Sequence, residues 1–166
     1  MIIGLSGKAR VGKDTVADYL VTHYGFERCS FAIYLKSIAK NIVGWDGIKD
    51  HRGRKLLQDL GTVVRQYDPT FWIRPVVSFI GMDTNKDYVI TDVRHFNEAE
   101  AISNLGGFLV RINRDEATIG ELGNHESEIK LDSYKRFDLI IDNNGGFDEL
   151  FAKVSAFVDT KLTINK

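Results

Sequence analysis

The sequence predicts an α/β fold of three layers, α/β/α, built on a mainly parallel sheet of about five strands with a small lid. Three observations carry that expectation. Short apolar runs alternate with stretches of helical spacing along the whole chain. The first such pair, Ile2 to Leu5 and then Lys13 onward, is separated by a glycine-rich turn. Neither a repeat nor a linker interrupts the 166 residues, so one domain is expected. Composition agrees: 43% hydrophobic residues is too apolar for a disordered chain, and 22 Lys+Arg against 23 Asp+Glu marks no whole surface for nucleic acid or membrane. The single cysteine, Cys29, excludes an internal disulfide and favours a reducing compartment. No apolar run approaches the ~18–20 residues of a membrane span, and the opening Met-Ile-Ile-Gly is unlike a signal peptide. A cytoplasmic protein is expected, and a homodimer stays open.

Taken in order, Ile2 to Leu5 reads as a buried strand. Val16, Ala17, Leu20, Val21 and Tyr24 form one face of a helix closed by Gly25. Phe26 to Phe31 reads as a weak strand. Tyr34 to Val43 is a helix stopped by Gly44, Trp45 to Arg54 a polar loop, and Lys55 to Gln66 a further helix. Asp68-Pro69 reads as a cap and first turn of a helix that Pro75 bends. Tyr88 to Thr91 is a strand, Asn97 to Leu105 a helix, Phe108 to Ile112 a strand. Residues 113–136 are polar and without period, a length that points to a functional lid. Phe137 to Ile141 is the last strand and Asp148 to Val158 the last helix.

The strongest motif is Gly7-Lys8-Ala9-Arg10-Val11-Gly12-Lys13-Asp14-Thr15, a G-x-x-x-x-G-K between strand and helix. Its glycines let successive backbone N–H groups curl around a phosphate, and the helix N-terminus adds partial positive charge. Lys13 then reaches the β and γ phosphates of a nucleoside triphosphate. An ordinary glycine turn is the bland alternative. Asp14 stands where a hydroxyl is usual, so it either approaches Mg²⁺ or turns away to cap the helix. Thr15 suits an α-phosphate contact, and Arg10 at the loop tip is a phosphate clamp or a solvated charge.

Asp92 follows Tyr-Val-Ile-Thr at the carboxyl end of a central strand, the edge where ligands of open α/β sheets bind. It can hold Mg²⁺ through water, orient an arginine, or cap the following helix. Arg94 and Glu98 follow, a bidentate phosphate grip or a surface ion pair. Lys36, Arg65 and Arg74 read singly as solvated helix faces, and Phe71 and Trp72 as core or groove wall before stacking platform. The polar stretch holds Arg111, Arg114 and His125-Glu126-Ser127-Glu128, a poor zinc site for want of a second histidine or cysteine nearby.

In combination these segments resemble the deoxynucleoside monophosphate kinases encoded by many tailed phages. The resemblance runs through Gly-Lys-Asp-Thr at 12–15, Ser30-Phe31-Ala32 with Lys36, Leu57 to Thr62 with Arg65, and Phe71-Trp72-Ile73. It continues through Val89 to Arg94 with Asn97-Glu98, His125 to Glu128, and Asn143-Asn144-Gly145. His95-Phe96 departs from the expected aromatic then proline. The resemblance implies a nucleoside-triphosphatase-type phosphate-loop fold with monophosphate-binding helices at about 32–81 and the lid at about 113–136. It implies transfer of a phosphoryl group from ATP, with Mg²⁺, to a deoxynucleoside 5′-monophosphate. Gly7, Ala9, Arg10, Val11, Gly12, Lys13, Asp14 and Thr15 would hold the ATP phosphates, with Asn143 and Gly145 bordering the adenine through backbone groups. Lys36, Arg65 and Arg94, with Trp72, Asp92, Glu98 and Ser127, would surround the acceptor. Lys13, Arg10, Asp92 and Arg114 would serve the transfer, and Asp14 and Asp92 the metal. Partners would be small nucleotides, not nucleic acid or membrane. Rival readings are a kinase of dephospho-coenzyme A or phosphomevalonate, and a nucleotide-binding switch, against which stands the lack of an Asn-Lys-x-Asp motif.

Overall fold

The computed structural model describes residues 1–115 and 130–164. The chain divides into two compact units, one of Met1–Arg28 with Lys86–Lys166, the other of Cys29–Asn85. The first holds β1 (Ile2–Ser6), α1 (Lys13–Tyr24), β3 (Tyr88–Ile90), α5 (Phe96–Asn104), β4 (Phe108–Asn113), β5 (Leu139–Asp142) and α6 (Phe147–Ile164). With β2 (Glu27–Cys29) the strands form one sheet in the order β2-β3-β1-β4-β5. β1 runs parallel to both β3 and β4, and β4 parallel to β5.

Strand period explains the layers. Ile3 and Leu5 face one way and join Val16, Ala17, Leu20, Leu150, Val154 and Val158 in a core shared with α1 and α6. Tyr19 of α1 stacks on Phe151 of α6 at 4.3 Å. Gly4, between them in the strand, faces α5: a Cβ there would lie 2.5 Å from the Ile102 Cδ1. Glycine there lets that helix seat close on the central strand. The three-layer α/β/α prediction with a five-stranded sheet is therefore met.

The second unit is helical: α2 (Ala32–Asn41), α3 (His51–Tyr67) and α4 (Ile73–Met82). Here the sequence reading needs correction. The loop expected at 45–54 ends early, because Asp50 caps α3 by accepting from the Gly53 N–H at 2.7 Å. Gly53, read as punctuation, is a packing residue: a Cβ would lie 2.0 Å from the Ile48 carbonyl oxygen. The pair Asp68-Pro69 does not start a helix. Asp68 closes α3, and α4 begins at Ile73, which puts Pro75 in its first turn, where a missing N–H breaks no bond. The expected bend at Pro75 thus loses its cause. Smaller shifts move α2 two residues earlier and extend α6 six residues beyond Val158. Among the described residues no helix is long and apolar enough to cross a membrane.

Candidate active site

The phosphate loop leaves the carboxyl end of β1 and enters α1. Gly7 (φ 143°) and Gly12 (φ 110°) take backbone angles closed to other residues. A Cβ on Gly7 would lie 2.2 Å from the Ile112 carbonyl oxygen, and one on Gly12 would lie 2.7 Å from the Asn143 Nδ2. Arg10, at the loop tip, is exposed and has φ 63°, the sole positive φ outside glycine among the described residues. Strain at an exposed arginine between two such glycines marks a loop shaped for a ligand. The Lys13 ammonium folds over the loop and donates to the carbonyls of Gly7 and Lys8, both at 2.6 Å. Gly12 is the N-cap of α1 and brings no side chain to the amides of the first turn.

Asn143 is buried, and its side-chain amide donates to the Val11 carbonyl at 2.8 Å. This residue was expected to serve through its backbone. Its side chain also clamps the loop from the turn after β5. Nothing local in sequence announces a bond across 132 positions. The next residue extends the contact: the Asp115 N–H donates to Asn144 at 2.9 Å, and the Asn144 amide returns a bond to the Asp115 carboxylate at 2.9 Å. That reciprocal pair brings the chain around Arg114 alongside the turn of Asn143 to Gly145. A cavity of about 380 Å³ opens beside it, walled by Lys8, Val11, Arg111, Arg114, Tyr134 and Phe137.

The second strand end lies at the same edge. β1 and β3 pair Gly4 with Ile90, and the Val93 N–H donates to the Leu5 carbonyl at 3.1 Å, so Asp92 emerges beside the root of the phosphate loop. Asp92 and Arg94 are half-buried. Glu98, expected among the acceptor contacts, is 2% exposed, and its carboxylate accepts from the Arg94 N–H at 2.8 Å and the His95 N–H at 3.1 Å. It is the N-terminal box of α5 and fixes the turn that carries Arg94.

Asp14 adds an arrangement the sequence did not announce. It neither caps α1 nor stands alone: Arg28 of β2 ion-pairs with it and with Asp18, the latter at 2.7 Å. In the helical unit, Lys36 lies half-buried on α2 and Arg65 half-buried on α3, its guanidinium close over Gly61. Trp72, placed among the substrate residues, is a core residue: it is 1% exposed and its indole N–H donates to the Gly61 carbonyl at 3.3 Å. Ser127, with His125, Glu126 and Glu128, lies outside the described residues, as does most of the expected lid. Among the described residues no cluster of three His, Cys, Asp or Glu is set for a metal.

The family model for deoxynucleotide monophosphate kinase matches residues 42–154. A putative deoxynucleotide monophosphate kinase of Acanthamoeba polyphaga mimivirus is 30% identical across 99% of this chain and the whole of that protein. The deoxynucleotide monophosphate kinase of Enterobacteria phage T4 is 29% identical over 61% of this chain and 43% of its own length. In fold, the chain is similar to a dephospho-CoA kinase from Campylobacter jejuni, with a TM-score of 0.64 at 14% identity, covering 99% of this chain and 98% of that one. A matching model over most of the chain and a relative aligned from end to end agree with the phosphate loop and its sheet edge: the chain belongs to the deoxynucleotide monophosphate kinase family.

Proposed function

We propose that the protein transfers the γ-phosphoryl group of ATP to a deoxynucleoside 5′-monophosphate, releasing the diphosphate and ADP. The carrying observation is the strained glycine loop, clamped by Asn143 and opening beside Asp92, in a chain of this family. The loop amides and Lys13 hold the donor's phosphates, with Thr15 at the first turn of α1. Arg10 lies at the loop tip and Arg114 beside the turn of Asn143 to Gly145, which borders the donor's base. Arg94, set in place by Glu98, is the acceptor-phosphate cation of the sheet unit, and Lys36 and Arg65 are those of the helical unit. An oxygen of that phosphate attacks the γ phosphorus while the bond to the β-phosphate oxygen breaks, and ADP leaves with the electron pair. The attacking oxygen is already anionic, so positioning and charge neutralisation suffice without a strong general base.

Mg²⁺ suits this edge, since Asp92 offers a hard oxygen ligand next to the phosphates, and one carboxylate plus phosphate oxygens is an ordinary set for that ion. Bound there, the ion would neutralise charge on the transferring group. Asp92 is the metal-side residue, acting directly or through water. Asp14 would serve the metal only on leaving Arg28.

The test is an acceptor panel with labelled ATP and purified protein. Label should pass to one or more deoxynucleoside monophosphates and not to dephospho-coenzyme A or phosphomevalonate. Lys13→Ala should reduce kcat by about 10²–10³-fold while leaving thermal unfolding cooperative. Near-normal turnover in that variant, or transfer to the other acceptors alone, overturns the reading.

A further inference from the structure

Arg111 sits in β4, in the strand that the sequence predicts at Phe108 to Ile112, and is 8% exposed. Burying a guanidinium is costly unless its donors are satisfied and its charge is balanced. Each of the three nitrogens of this one donates one bond. Nε donates to the Asn113 carboxamide oxygen at 3.2 Å, Nη1 to the Ser6 hydroxyl at 3.3 Å, and Nη2 to Asp132. The centre of the Phe137 ring lies 5.9 Å from the guanidinium carbon. Ser6 is paired with Arg111 in the β1–β4 register and is the last residue before Gly7. Thus a buried cation is fixed to the residue from which the phosphate loop springs. Its carboxylate partner, Asp132, is 44% exposed, so water weakens the neutralisation on that side.

We infer that Arg111 is a positioning residue for the donor's polyphosphate. It pins the exit of β1 through Ser6, so that Gly7 starts the loop from one fixed place. Its charge, held inside the sheet unit and incompletely neutralised, lowers the electrostatic cost of seating anions on the loop. Asn113, bonded to the same guanidinium, also accepts the Asn143 N–H on its backbone carbonyl at 2.8 Å. Arg111 and the Asn143 clamp therefore belong to one connected support, holding the loop at its root and at Val11.

This inference rests on the reading of the loop as a polyphosphate site, and the experiment separates the two. Calorimetry of the full chain with inorganic tripolyphosphate and, separately, with a deoxynucleoside monophosphate is run on wild type, Arg111→Met, Arg111→Lys and Asp132→Asn. In wild type, tripolyphosphate binds; its failure to bind would overturn both the site and the role of Arg111. With wild type binding, Arg111→Met should weaken tripolyphosphate about tenfold and raise the KM for ATP in step, with monophosphate binding unchanged. Arg111→Lys, which keeps the charge but not the fork, should recover part of the loss. Should the methionine variant not fold, Asp132→Asn decides: removing the counter-charge while keeping Arg111 should tighten tripolyphosphate two- to threefold. Unchanged tripolyphosphate affinity in a folded Arg111→Met, equal losses of both ligands, or weaker binding by Asp132→Asn would overturn the role of Arg111 alone.

Discussion

Helix α1 of the sheet unit and helix α3 of the helical unit both carry a cation assigned to phosphate, yet they are held in place by different means. α1 buries Val16, Ala17 and Leu20 against the sheet, and its first residue, Lys13, is set by two glycines whose angles residues with side chains rarely take. α3 is longer, at 17 residues, but the residues it buries are Gly53 and Gly61. Its Leu56, Leu57, Leu60 and Val64 are half-buried, and Val63 and Tyr67 are 62% and 93% exposed. Lys13, the lysine proposed for the donor, is thus fixed by backbone geometry tied into a sheet, whereas Arg65 rides on a thinly packed helix. A phosphate loop must present several amides at once and gains from stiffness. Cations for an acceptor can ride on an element that opens more easily, because a single charge tolerates more displacement.

Glycine substitution in the two helices should give the largest contrast. Gly12→Ala must adopt φ near 110° and push its methyl group to within 2.7 Å of the Asn143 amide that clamps Val11. We expect a destabilisation of about 1–3 kcal/mol, read by denaturant melts, together with loss of ATP turnover. Gly61→Ala meets the end of the Arg65 side chain at 3.1 Å and the Leu35 Cδ2 at 3.4 Å. The arginine tip can move, and alanine favours a helix by roughly 0.5–1 kcal/mol over glycine. That variant should be as stable as wild type or slightly more so, with a raised KM for the monophosphate and an unchanged KM for ATP. If both alanines cost the same, the contrast between backbone-set and side-chain-set cations is wrong.

Native-state hydrogen exchange probes the same difference with a smaller expected effect. Amides of β1, β3 and β4 should exchange through global unfolding, and those of α3 through a partial opening with at least about tenfold less protection. Equal protection across both sets would show that α3 is locked as firmly as the sheet.

The contrast also explains what could be read from the sequence. The phosphate loop, β1, α1 and the end of β3 were legible because they obey local rules: apolar run, glycine turn, helical spacing from Lys13, aspartate at a strand end. The chain entering α3 and α4 was not, because those boundaries are decided by side chains bonding to nearby backbone. Asp50 capping α3 and Asp68 closing it look alike in a polar stretch. Contacts between distant segments stayed hidden for another reason. Asn143 on Val11 and Arg111 on Ser6 span 132 and 105 positions, whereas the core reading of Trp72 holds at 1% exposure. The box that Glu98 makes was hidden too, because its N-cap, His95, is not one of the residues that mark a helix start.

The smallest effect concerns the turn between α3 and α4. Asp68 accepts from Arg74 at 2.6 Å and from the N–H and hydroxyl of Thr70 at 2.9 and 2.8 Å. The Arg74 hydrogen bond, followed by those from Thr70, holds its carboxyl below the usual aspartate value. The unfolded chain therefore binds the proton more readily than the folded one, and stability rises with pH through that interval. The contribution is complete above the unfolded value and fades as pH falls through the folded one. Asp68→Asn keeps an acceptor but loses the charge, so it should be slightly less stable than wild type at neutral pH and converge with it in acid. The carboxylate is half-buried but its partner Arg74 is exposed, so salt should shrink the difference. Urea melts from neutral to acid pH at two ionic strengths measure this directly. A gap that persists unchanged in acid would mean that the turn is held by its shape and not by the charge of Asp68, bringing the helical unit closer in kind to the phosphate loop.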